Sequence, residues 1–179
     1  MIKYFLTIPL LISSCGFPAL CEDEQVDFHV GGMLVCTSGL NVNPDHIAAA
    51  VREIELLTNQ HNLDSWMDDK GTRLLFTNDY ICAGGSTQLD GQGAICHRTA
   101  RGYTGEQGRM IAVHYEECLA STSLAHELLH VVQYIRNDKV LDNGYEDDDH
   151  STKQFFTGTA GPESYEFKAQ AELMKVCGQ

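Results

Sequence analysis

One stretch constrains this chain more than any other. Between Ser121 and Asn137, Leu124, Leu128, Val131 and Ile135 recur at the spacing of a single helical face. His126, His130 and Gln133 fall nearly opposite that stripe. A helix built this way buries one side in a core and turns two imidazoles, one turn apart, toward a cleft. A histidine serving the core would instead sit within the apolar stripe.

The residue between the two histidines gives the helix its chemistry. Imidazoles at i and i+4 can both reach one metal ion, and Glu127, beside the first of them, can reach a water on that ion. This is the physical content of the H-E-x-x-H pattern, and it calls for one zinc ion per chain. Glu127 would act as general base, with His126 and His130 as ligands. A catalytic zinc commonly has three protein ligands and one open position. A final helix, opened by Gly161-Pro162 and running from Glu163 to about Val176, offers the third. Glu166 shares a face with Ala169, Leu173 and Val176, and a carboxylate on such a stripe is costly unless paired or metal-bound. Glu163, at the helix start, suits a dipole-favoured surface acid, and Glu172 lies on another face. His150, twenty residues beyond His130 in an acidic loop, is the other contender. Tyr165, Tyr145 and His114 are placed to stabilise an oxyanion, and the sequence does not choose among them.

The order of elements predicts a small α+β domain. Phe28 to Cys36 reads as a strand with Gly31-Gly32 as a bulge. Asn43-Pro44-Asp45 starts a helix carrying Ile47, Val51, Ile54 and Leu57 on one face, so this helix backs the core. Thr72 to Thr77 reads as a short strand. Ala83 to Gly108 holds seven of the sixteen glycines and predicts a long irregular loop, which a Cys82–Cys96 bridge would staple. Gly91-Gln92-Gly93 precedes no helical pattern and is no nucleotide loop. Met110 to Tyr115 reads as a strand directly before the histidine helix. The expected architecture is an antiparallel or mixed sheet with a backing helix, an active-site helix and a C-terminal ligand helix, in one domain over residues 22–179.

His126-Glu127-Leu128-Leu129-His130, followed by Tyr165-Glu166-Phe167-Lys168-Ala169-Gln170, resembles a zincin metallopeptidase of the gluzincin type. The second motif is similar to the E-F/Y-x-A-D helix of the CaaX-processing and heat-shock membrane peptidases. The resemblance covers Ser121 to Met174 and implies Glu166 as third zinc ligand. The family's aspartate is Gln170 here, and this chain lacks the membrane-embedded helices of those relatives. In zincin folds the edge strand of the sheet precedes the active-site helix and binds extended substrate by β-addition, and Met110 to Tyr115 occupies that place in the order. The metzincin pattern is excluded, because Gln133 and Arg136 stand where it needs glycine and histidine.

The N-terminus reads as an export signal: Lys3, the apolar run Tyr4 to Ile12, then Ser13 and Ser14. Ile12-Ser13-Ser14-Cys15 resembles a bacterial lipobox, giving a signal over residues 1–14 and a lipid on Cys15. Cleavage after Cys21 is the alternative. Loss of Cys15 to a lipid leaves Cys21, Cys36, Cys82, Cys96, Cys118 and Cys177, an even set suited to disulfides in a periplasmic or extracellular setting. The formal charge of −13 and a pI near 4.8 argue against nucleic acid or anionic lipid as a partner, which restricts membrane attachment to that lipid. Glu146-Asp147-Asp148-Asp149 lacks EF-hand spacing and reads as a solvated acidic loop rather than a calcium site.

The expectation is therefore an exported, monomeric zinc metallopeptidase acting on peptide or protein substrates. Its rivals are a disulfide-stapled exported binding protein without activity and a zinc amidase acting on non-protein amides. Glu127 separates the first rival, since structural zinc needs no carboxylate there.

Overall fold

A computed structural model of the chain describes residues 21–78, 81–82, 87–90, 93–96, 99–105, 108–116, 119–136, 154–156 and 161–176. Residues 1–14, expected from the sequence to be an export signal, Cys15, the acidic loop with Tyr145 and His150, Cys118, Cys177 and the side-chain pairing of Cys82 and Cys96 lie outside the described residues.

The centre is a mixed five-stranded sheet in the order β1-β2-β3-β9-β8. It comprises β1 (Phe28–Val30), β2 (Met33–Cys36), β3 (Arg73–Thr77), β9 (Met110–His114) and β8 (Gly102–Gly105). The three central strands β2, β3 and β9 run parallel, while β1 and β8 pair antiparallel at the two ends. Parallel neighbours need long crossovers. The first, between β2 and β3, carries α1 (Pro44–Thr58) and α2 (Leu63–Lys70). Then come α3 (Leu119–Ile135) and α4 (Tyr165–Val176). The fold is α+β, as expected.

Side-chain alternation assigns the two faces of the sheet. Met33, Val35, Leu74, Phe76, Ile111 and Val113 point to the helical side, where they join Ile47, Ile54, Leu124, Leu128 and Leu173 in the main core. Leu75 and Ala112 point the other way and meet Cys21, Cys36 and Tyr103 in a smaller cluster. A disulfide links Cys21 to Cys36 there. α1, α3 and α4 pack on one another, so α3 is held between the helical layer and strands β8 and β9.

Several elements follow the sequence closely. Asn43 caps α1, its side-chain oxygen accepting from the Asp45 backbone N–H at 2.9 Å. Ile47, Val51 and Ile54 are buried as their spacing requires. α3 lies within two residues of its predicted limits.

Other elements differ, each for a physical reason. Gly31-Gly32 is a two-residue hairpin turn between β1 and β2 and not a bulge, with φ of 58° and 76°. A Cβ on Gly32 would meet the Asp64 carbonyl oxygen at 1.9 Å, so glycine is needed there for space as well as for conformation. Helix α2 was not foreseen; Leu63 and Met67, one turn apart, anchor it in the core. The stretch Ala83 to Gly108 is not one irregular loop. It contains β5 (Thr87–Asp90) paired with β6 (Gly93–Cys96), then β7 (Thr99–Ala100), which pairs with β4 (Ile81–Cys82) just before the stretch, and then β8. Its glycines hide the strand signal that cross-strand pairing supplies. β9 is not the edge strand either. It sits between β3 and β8, and its continuous buried run Ile111-Ala112-Val113 marks a strand covered on both faces. Among the described residues the edge beside α3 is β8. Finally, α4 begins at Tyr165 after a 3-10 turn, Gly161–Glu163, and Ser164 caps it by accepting from the Phe167 N–H at 3.1 Å.

Candidate metal and catalytic site

The site is assembled on α3 where the helix crosses β8 and faces the start of α4. His126 and His130 lie one turn apart with ring centroids 5.0 Å from each other. Each ring is fixed through its Nδ1. His126 Nδ1 lies 2.8 Å from Glu166 Oε1, and His130 Nδ1 lies 3.1 Å from Gln133 Oε1. A carboxylate and an amide oxygen can only accept, so each Nδ1 donates, and a ring in its neutral form then carries its lone pair on Nε2. Phe156 packs against both rings, at 5.0 Å from His126 and 4.8 Å from His130. Its side chain is fully buried, and it shields one side of the pair from water.

Glu127 sits deeper. Only 4% of it is exposed. Its Oε2 accepts from the Thr104 hydroxyl at 2.7 Å, across the seam between α3 and β8. On the same strand Gly102 gives it room: a Cβ there would stand 2.3 Å from Glu127 Oε1.

The first turn of α4 brings Glu166 into place. Its backbone N–H and that of Tyr165 donate to the carbonyls of Phe155 and Gln154, each at 2.9 Å. The segment that supplies Phe156 is thereby tied to the helix that supplies Glu166. The Glu166 side chain is 14% exposed. Gln170, one turn on, donates to its Oε1 at 3.4 Å. Gln170 thus supports the glutamate.

The other sequence candidates are distributed as follows. Glu163 is a surface acid paired with Lys168 at 3.1 Å, and its side chain is 85% exposed. Glu172 pairs with Lys175 on the surface. The Tyr165 hydroxyl accepts from Gln154 Nε2, and its ring stands edge-on to Phe155. His114 closes β9, its N–H donating to the Arg101 carbonyl at 2.7 Å. Among the described residues no three His, Cys, Asp or Glu side chains converge as a ligand set around one point. The described set is two histidines with an adjoining buried glutamate, and Glu166 holds the outer nitrogen of one ring.

Four residues at the site have no role assigned from the sequence alone: Gln133, Thr104, Phe156 and Gly102. Gln133 was seen on the histidine face, and its i+3 spacing from His130 was the available signal. Thr104 and Phe156 are joined to the site only by tertiary structure, and nothing local marks them. No family model, curated protein or solved structure matches this chain.

Proposed function

We propose that this protein is an exported zinc-dependent hydrolase that cleaves peptide bonds, with His126 and His130 as ligands through Nε2 and Glu127 as general base. One observation carries the reading. Both histidines have Nδ1 committed to an acceptor, the arrangement that orients metal-binding imidazoles and fixes their tautomer. The donor set, two imidazoles beside a buried carboxylate, suits zinc.

Zinc held there would supply a Lewis acid that polarises a carbonyl and acidifies water. The residues of the chain do the rest. Glu127 takes a proton from the attacking water and passes it to the departing amine. Phe156 keeps bulk water off one side of the imidazole pair, which strengthens each electrostatic contact within the site. β8, at the described edge of the sheet, offers backbone groups along which an extended peptide can lie.

The gluzincin resemblance implies Glu166 as third ligand, but with its carboxylate on His126 Nδ1, away from Nε2, ligation would require that side chain to move. The contact as it stands supports the other role, that of holding the ring. A non-catalytic binding protein accounts less well for Glu127, because burying a carboxylate beside two histidines costs stability and gives a binding surface nothing.

The test is the zinc content of purified, oxidised protein, with His130→Ala as control. About one zinc per chain, lost in the variant, supports the reading. A folded protein that takes up no zinc removes it and leaves the binding-protein alternative.

A further inference from the structure

The glycine-rich segment ahead of α3 contributes two residues that touch the acid of the site. Gly102 and Thr104 are two apart on β8, so both face α3, while Tyr103 between them points into the disulfide cluster on the other side of the sheet. Thr104 Oγ1 lies 2.7 Å from Glu127 Oε2 and 3.2 Å from the Glu127 carbonyl oxygen. A hydroxyl has one proton, and it goes to the closer and charged acceptor.

Gly102 acts by what it lacks. Its φ is not positive, so the backbone there does not demand glycine. The space does. An added Cβ would meet Glu127 Oε1 at 2.3 Å and its Cγ and Cδ at 2.8 Å. Those atoms belong to a flexible side chain. Alanine at 102 would therefore move the carboxylate and leave the strand in place.

We propose that Gly102 and Thr104 of the edge strand form a positioning clamp for the Glu127 carboxylate, Gly102 leaving the space it fills and Thr104 fixing which oxygen faces the strand. The proposal rests on Glu127 being the general base. Its consequence is that the strand offered to substrate also sets the aim of the base. A base held in place is ready to take a proton, and misplacement by about 1 Å costs on the order of a hundredfold in rate.

Two measurements on the full mature protein test the clamp. The first is a double-mutant cycle on unfolding with Thr104→Val and Glu127→Met, which keeps the bulk of the side chain, removes the acceptor and needs no substrate. A hydrogen bond to a charged group predicts coupling of about ten- to a hundredfold in the unfolding constant. Additive effects would overturn the contact. The second uses zinc-loaded protein and a quenched-fluorescent peptide library. Thr104→Val and Gly102→Ala should lower kcat by about ten- to a hundredfold, with KM and zinc content within about twofold of the parent. Thr104→Ser, which keeps the hydroxyl, should recover most of the loss. Unchanged kcat in Thr104→Val, or no recovery in Thr104→Ser, overturns the positioning role even where Glu127→Gln is inactive. A parent protein with no zinc and no hydrolysis ends the hydrolase reading, and with it the positioning of a base.

Discussion

Replacing Glu127 by glutamine separates chemistry from folding, because the two respond in opposite directions. The side chain is 4% exposed and receives the Thr104 hydroxyl at 2.7 Å. Glutamine has nearly the same shape, and its amide oxygen can still accept that hydrogen bond. What it removes is a buried negative charge, whose desolvation costs the fold. The metal-free Glu127→Gln protein should therefore be as stable as the parent or more stable, by on the order of 1 kcal/mol, a rise in Tm of about 2–4 °C for a chain of this size. Hydrolysis should fall by about 10²–10⁴-fold, the usual contribution of a general base, or roughly 2.7–5.4 kcal/mol in the barrier. Zinc stoichiometry should not change. The assay is calorimetry on the metal-free proteins, with zinc analysis and peptide turnover on the loaded ones. Two results refute the reasoning. Retained turnover removes Glu127 as the base, and a stability loss beyond about 2 kcal/mol makes the carboxylate a structural hub of the fold.

Two further predictions concern the metal site and pH. In competitive zinc titration, Glu166→Ala should weaken binding by at least about 10–100-fold, the effect expected from loss of a partner to a ligand histidine, and by more if Glu166 is itself a ligand. Glu163→Ala, on the surface with Lys168, should leave affinity near that of the parent, and a ranking led by His150→Ala would reassign the third ligand. Asp27 accepts the Thr37 backbone N–H and the Thr37 hydroxyl, each at 2.7 Å, and the backbone bond is the main cause holding its pKa below the ordinary 3.8. A folded-state pKa lowered in this way stabilises the fold above 3.8 and stops doing so as pH falls through the folded value. Asp27→Asn should therefore flatten the fall of Tm below pH 4, and an unchanged acid limb would count against it.

The sequence carried what is local or periodic. The H-E-x-x-H helix, the Asn43 cap and the inward face of Glu166 are each set by neighbours within a turn or two, and each stands where its pattern predicts. What it did not carry is long-range. Thr104 meets Glu127 across 23 residues of sequence, and Gly102 is informative only through the space it leaves for that side chain. A run rich in glycine suppresses strand propensity, so β8 was hidden although it borders the site. The edge role assigned to Met110 to Tyr115 failed for a related reason. A solid apolar run signals burial on both faces, and that feature belongs to an interior strand. Phe156 had no signature at all, since an aromatic in a short connection looks the same whether it covers a metal site or packs elsewhere.

The Cys21–Cys36 bridge leads to a prediction about processing. Cys21 is 4% exposed and bonded to Cys36 at the end of β2, with a sequence separation of 15. The residues beside it are anchored as well: the Cys21 carbonyl accepts from the Arg73 guanidinium, which also pairs with Asp23. Closing a loop of this length stabilises a fold by about 3 kcal/mol in the chain-entropy account. Cleavage after Cys21 would discard that contribution and leave Cys36 as a lone thiol in the small cluster beneath the sheet, whereas cleavage before Cys15 keeps both partners. If the proposed export signal is removed, the mature N-terminus is expected upstream of Cys21, which mass spectrometry of the purified protein reads directly. Cys21→Ser with Cys36→Ser should lower Tm by about 6–12 °C, and reductant should have the same effect on the parent and none on the double variant. A mature chain that starts beyond Cys21, or a parent whose Tm ignores reductant, would show that this corner of the fold is held by the Arg73 contacts and side-chain packing alone.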